Sequence, residues 1–290
     1  SIGYMRGLDE HSQTRFYCFF AVALSSALGA AFAANLLTLY LFYEILSLST
    51  YPLVTHHQDE EARISGRKYL AYILGTSVGL VLPAMILCYN LAGTLEFATG
   101  GVFGAEISQT MATVLFLLFL FGFAKAAIMP LHGWLPAAMV APTPVSALLH
   151  AVAVVKVGAF SIVRVVTGVF GFELLASFQL GYIAALIASV TIILGSLIAL
   201  SQDELKRRLA FSTVSQLSYI VLGVCLLTPL GKLVSAGVLA RGQCRRVRGK
   251  NGNRHIVRSR GDLDAVCRAR NYRVFITHHI VEDVSLQAVP

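Results

Sequence analysis

Apolar residues run along this chain in long blocks, and the blocks have the length of a bilayer. A spanning helix needs about 20 predominantly apolar residues, and seven stretches supply them: 16–34, 35–55, 68–92, 109–129, 144–167, 180–201 and 209–228. The first two run together without a polar loop, so the pattern predicts a pivot at Asn35. Between the fourth and fifth lie Pro130, Pro136, Pro142 and Pro144, four prolines within fifteen residues. Proline removes a helical donor and turns the residue before it away from the helical region, so regular helix must stop there. The pattern predicts an all-α, polytopic transmembrane helix bundle with irregular backbone between its fourth and fifth spans.

Composition excludes a water-soluble globule. The chain is 56% hydrophobic and 13% charged with mean hydropathy +0.71, against about 45–50% and about 25% in a soluble domain. The net charge of +8 suggests nucleic acid at first, but residues 1–231 carry 11 basic and 11 acidic side chains, and residues 232–290 hold the other 12 and 4. The tail's arginines show no aromatic interleaving and no nucleic-acid-binding module, so no nucleic-acid partner is expected. The five cysteines have neither CxxC spacing nor a histidine partner at zinc-finger distance. With no glycine-rich nucleotide loop either, no cofactor and no metal site is expected.

Threading the seven stretches alternately across a bilayer puts Arg6, Arg15, Arg63, Arg67, Lys68, Lys206, Arg207 and Arg208 on one side. By the positive-inside rule that side is cytoplasmic, and Glu96, Glu106 and Glu173 face outward. The same rule places the basic tail on the wrong side. Near Gly231 an apolar stretch passes abruptly into Arg241-Gly242-Gln243-Cys244-Arg245-Arg246. A frameshifted, truncated or disordered tail is expected over 232–290. The other reading is a genuine basic extension that binds anionic lipid. The start at Ser1, without Met, reads as a fragment of something longer.

Within the apolar stretches four ionisable groups stand out: Glu44, Lys125, His150 and Lys156. A charge at the centre of a spanning helix costs roughly 2.5–3.5 kcal/mol to insert, and such residues mark ion or proton paths. Glu44 could be a structural carboxyl bonded between helices, or a group that exchanges protons. Lys125 lies five residues before Pro130 and could snorkel to the interface or sit buried. Water exclusion disfavours an ammonium and a nearby carboxylate favours it, so a Glu44–Lys125 pair could change proton occupancy when its partner moves. His150 and Lys156 share the fifth stretch six residues apart, about 9 Å of rise and roughly 120° on a regular helix, a gap suited to bridging water. Arg164, near the end of that stretch, is expected to snorkel to the outer headgroups. Ser212, Thr213, Ser215, Gln216 and Ser218 either line a wet cavity or bond neighbouring helices.

The segment 125–156 contains P-L-H-G-W-L-P-A-A and A-P-T-P-V-S-A, with a 31-residue step between its lysines. It resembles the proton-translocating membrane subunits shared by complex I (NADH:quinone oxidoreductase), membrane-bound hydrogenases and Mrp-type cation/proton antiporters. Residues 35–51 are similar to that family's glutamate helix, with Tyr43 where Trp is common, and 203–212 are like its loop into the next helix. The resemblance covers residues 1 to about 231. It implies two inverted five-helix repeats, each with a discontinuous helix, the second only begun here and three helices missing before Ser1. It also implies roles: Glu44 tunes Lys125, Lys125 carries the proton, and His150 with Lys156 pass protons toward the centre. The partners implied are other membrane subunits, the lipid bilayer and protons, with sodium an alternative. Redox chemistry would belong to partner subunits, and the location would be a bacterial inner membrane. A Mrp-type or hydrogenase-associated subunit, or an inactive truncated remnant, are the competing readings.

Overall fold

The computed structural model describes residues 2–7, 11–98, 100–103 and 107–226; the expectations for the tail at 232–290 and for Glu106 fall outside these residues. The described chain is helical, with one isolated antiparallel bridge between Asn35 and Glu96. A short α1 (Ile2–Gly7) precedes α2 (Gln13–Ala31), and α3 (Leu36–Val54) follows after a pivot. The Asn35 side chain accepts from the backbone N–H of Thr38 at 2.7 Å, which satisfies one of the four free donors at a helix start. That cap is why two apolar stretches without a polar loop become two helices.

The third stretch is longer than its apolar core. α4 (Glu60–Thr76) starts eight residues before the hydropathy pattern does, passes through a π-helical turn at Ser77–Val81 and continues as α5 (Leu82–Ala92). The fourth stretch is cut short: α6 (Gln109–Gly122) gives way to a 3₁₀ turn at Ala124–Ala126, and the chain resumes helix only at α7 (Trp134–Ala137). The fifth begins as α8 (Thr143–Ala147), makes a π-helical turn at Leu148–Val152, kinks at Ala153 (φ −125°, ψ −68°), continues as α9 (Val154–Val165) and ends in a third π-helical turn at Val166–Phe170. A short α10 (Phe172–Ser177) leads into α11 (Leu180–Leu200) and α12 (Leu205–Cys225). Six of these segments are long and apolar enough to cross a membrane, and Gln109–Gly122 is a shorter apolar helix. All seven expected stretches are therefore helical, the fourth broken and the fifth twice distorted.

Contacts at the helix ends fall into two groups. Tyr4 meets Thr143 at 3.2 Å, Lys206 donates to the Ala141 carbonyl at 3.4 Å, and His11 stacks on His56. Elsewhere Leu36 N–H donates to Leu95 at 2.9 Å, Ala98 N–H to Gly168 at 3.1 Å and Val102 N–H to Val169 at 2.8 Å. Alternate threading assigns the first group to one end and the second to the other, and none of these six contacts crosses over. The helix count and order are consistent with a bundle of alternating spans.

The segment Thr143–Phe170 has 69% of its apolar window buried, against 22% for α2, so it is the central helix. At its middle, Gly158 lies so close to the 3₁₀ turn that a Cβ there would collide with Ala126 N and the Lys125 carbonyl carbon. Gly122 is pressed in the same way against Val81 of the first π-helical turn. The break between them is held from several sides. Trp134 Nε1 donates to the Ala124 carbonyl at 2.9 Å, the Tyr43 hydroxyl accepts from Lys125 N–H at 3.3 Å, and Thr191 Oγ1 from Met129 N–H at 3.4 Å. Ala127 closes the turn in the left-handed region (φ 54°, ψ 34°), which costs an L-residue roughly 1–2 kcal/mol.

Two substitutions test this packing. Gly158→Ala forces backbone apart and is expected to cost about 1–3 kcal/mol. Trp134→Phe keeps a ring but removes the indole donor to the Ala124 carbonyl, which is left with the Ala127 N–H alone, at a cost of about 0.5–1.5 kcal/mol. Thermal unfolding in detergent should show both variants melting several degrees below the parent; melting curves that superimpose on it would remove the break from the list of fixed features.

Candidate functional site

Lys125 occupies the middle of the 3₁₀ turn and is fully buried. Helix ends at Gly122, before Lys125, and not at the prolines eight residues later. The side chain does not reach the interface, so the snorkelling alternative is excluded. Its ammonium donates to the backbone carbonyl of Tyr43 and lies 3.4 Å from the centroid of the Tyr43 ring. The same carbonyl accepts from Ser47 Oγ at 3.0 Å. An ammonium over an aromatic face is drawn to the ring's negative quadrupole, and more strongly where water is excluded.

Glu44 is the next residue along α3. Both of its carboxyl oxygens are buried and neither has a hydrogen-bond partner. Ser77, at the start of the first π-helical turn, lies beside the carboxyl without a bond of ordinary geometry, and its own hydroxyl donates to Leu74 at 3.1 Å. Glu44 and Lys125 are within electrostatic reach of each other but form no bonded ion pair. The expected pair is thus brought together with its charges apart. Such an arrangement can pass a proton only when one group moves or water bridges them.

His150 sits in the second π-helical turn. Its side chain is half-buried, and both ring nitrogens are buried without a hydrogen-bond partner. Lys156 is exposed on α9 while Val154, Val155, Val157 and Gly158 around it are buried. The π-helical turn and the kink at Ala153 lie between the two residues, so the regular 120° relation expected from a spacing of six does not hold. A wide turn inserts an extra residue into the helix and rotates everything beyond it.

Arg164 corrects another expectation. Its guanidinium donates to the Ala33 carbonyl at 2.9 Å and lies 4.3 Å from the Phe97 ring centroid, so it clamps the α2–α3 pivot to the central helix instead of reaching for headgroups. The polar cluster of α12 divides. Ser215 bonds Ser196 at 3.0 Å and the Ile192 carbonyl at 3.3 Å across to α11, and Thr213 and Ser218 bond their own helix. Ser212 and Gln216 remain exposed.

Three residues of this region have no assigned part in the sequence reading. Tyr43 is visible there only as a departure from Trp. Ser77 has no signal at all, because a π-helical turn leaves no periodic trace. His132, inside the P-L-H-G-W motif, is half-buried with Nδ1 buried and unpartnered, its ring 6.0 Å from that of Phe211. The motif itself was its only sequence signal.

Comparisons with known proteins agree with this architecture. The family model described as NADH:quinone oxidoreductase/Mrp antiporter, TM matches residues 33–236. The chain is 35% identical over 231 residues to NAD(P)H-quinone oxidoreductase chain 5 of Picosynechococcus sp., covering 77% of this chain and 33% of that protein. It is 33% identical over 233 residues to the chloroplastic subunit 5 of Hordeum vulgare, covering 77% and 30%. The chain thus spans about a third of the length of the curated relatives it matches. Among solved structures, the Mrp complex from Dietzia sp. DQ12-45-1b aligns with TM-score 0.67 and 26% identity over 76% of this chain and 41% of that one. The archaeal membrane-bound sulfane sulfur reductase aligns with TM-score 0.62 and 26% identity over 78% and 48%. An integral membrane bundle, broken at its fourth span around a buried lysine and matched by this model over most of its described length, belongs to the NADH:quinone oxidoreductase/Mrp antiporter transmembrane family.

Proposed function

We propose that this chain is a proton-translocating module within a multi-subunit membrane complex of the NADH:quinone oxidoreductase/Mrp type, with residues 1–231 as the translocating unit. One observation carries the reading: Lys125 is wholly buried at a helix break and rests on Tyr43, the neighbour along α3 of Glu44, a carboxyl whose two oxygens have no partner. Ionisable groups are costly in such surroundings, and proton relays are where membrane proteins retain them. Glu44 tunes the charge of Lys125. Lys125 carries the proton. His150, with its nitrogens unpartnered in a distorted turn, relays it toward Lys156. The exposure of Lys156 at mid-span suits a group that hands the proton on to polar partners outside the described bundle.

Redox chemistry, where the complex performs it, belongs to partner subunits, and the membrane is the inner membrane of a bacterium. Coupling to sodium, as in a Mrp-type antiporter, is the second reading, favoured by the likeness to the Dietzia Mrp complex. Gene neighbours separate them: small antiporter subunits point to one, peripheral iron–sulfur or flavin subunits to the other. A hydrogenase-associated subunit is a third reading of the same fold.

The test is proton uptake by proteoliposomes holding the assembled complex, followed with a pH-sensitive dye. Lys125→Ala and Glu44→Ala are each expected to bring uptake to background with assembly preserved. Unchanged uptake in either variant would sink the role given to that residue. Repeating the assay with potassium in place of sodium separates the two readings: uptake that persists favours protons alone.

A further inference from the structure

Glu44 and Lys125 are treated above as a pair, yet the lysine is in contact with a different residue. Tyr43 and Lys125 are both fully buried, and they touch at both ends of the lysine. At the base, Lys125 N–H donates to the Tyr43 hydroxyl at 3.3 Å; at the tip, the ammonium bonds the Tyr43 carbonyl and lies 3.4 Å from the ring centroid. The ring is fixed in turn by Phe123, whose centroid is 5.3 Å away at 68°. Ser47 shares the carbonyl. Meanwhile the Glu44 oxygens stay unpartnered, beside Ser77.

We propose that Tyr43 is a positioning residue that seats the Lys125 ammonium and holds it apart from the Glu44 carboxyl. The ammonium needs at least one acceptor in this dry interior, and the seat supplies a carbonyl and an aromatic face. Lys125 then reaches Glu44 only by leaving the Tyr43 ring, so the residue sets how often the two charges meet. An indole offers a cation a stronger face than a phenol, so Tyr43→Trp would tighten the seat. The functional meaning of the seat rests on the proton-transfer reading, but the separation itself is a matter of geometry and can be measured without transport.

The experiment is zero-length cross-linking of the whole 290-residue chain in lipid nanodiscs with dicyclohexylcarbodiimide. This apolar reagent activates a buried carboxyl. Attack by a neighbouring amine expels the urea and leaves a Glu44–Lys125 amide, which is quantified by peptide mass spectrometry. Glu44→Gln supplies the blank. The parent should give little product, Tyr43→Leu about fivefold more, and Tyr43→Trp no more than the parent. Equal yields in the parent and Tyr43→Leu, or an equal rise in Tyr43→Trp, would overturn the proposal. Where Tyr43→Leu is not monodisperse, Tyr43→Phe is read instead: it keeps the ring face but loses the bond to Lys125 N–H, and a smaller rise is expected, with no rise counting against the seat. A cross-link that responds to Tyr43 while proton uptake ignores Lys125→Ala would uphold the seat and overturn the proton-transfer reading alone.

Discussion

A helix broken inside an apolar bundle must have its freed backbone groups satisfied by protein, because lipid offers no hydrogen bonds. That constraint organises the structure. The turn between Gly122 and Trp134 takes a donor from the Trp134 indole and acceptors from the Tyr43 and Thr191 hydroxyls. Those three residues come from α7, α3 and α11, so the break ties together elements far apart in sequence. Gly158 lets the central helix come close enough to close the remaining side. A left-handed Ala127 persists only where such neighbours over-determine it.

The same constraint locates the charges. The turn that exposes backbone groups also turns Lys125 inward, where the Tyr43 carbonyl can accept from its ammonium. Glu44 falls beside a π-helical turn, His150 lies within another, and Arg164 lies two residues before the third. Each distortion alters the regular ladder and reorients polar groups, so ionisable side chains and irregular backbone occur together in this bundle. The Arg164 clamp performs a different task, holding the α2–α3 pivot on the central helix. It fixes the end of the bundle far from Lys206 and Thr143.

Much of this was readable from the amino-acid order, and the failures have physical causes. Block length located all seven helical stretches and put a pivot near Asn35, but the cap that makes the pivot, Asn35 accepting from Thr38 N–H, appears only in the structure. α4 began earlier than hydropathy suggests because Glu60, Glu61, Arg63, Arg67 and Lys68 hide two helical turns from an apolar window. The prolines gave away a break but not its place, since the helix ends at Gly122 through contacts with Val81, Tyr43 and Trp134 that no local pattern encodes. The angle between His150 and Lys156 failed for the same reason: a π-helical turn is decided by packing, not by periodicity. Glu44, Lys125, His150 and Lys156 stood out because a charge in an apolar block is conspicuous. Tyr43, Ser77 and His132 did not, since polar aromatic and hydroxyl residues are ordinary there.

The central claim is that Glu44 and Lys125 change protonation together as the complex works. Infrared difference spectroscopy on the assembled complex, driven between resting and energised states, measures this directly. The account predicts a carboxyl stretching band that changes on energisation, disappears in Glu44→Gln and shifts in Lys125→Ala. A difference spectrum in which no carboxyl band responds to either substitution would contradict it.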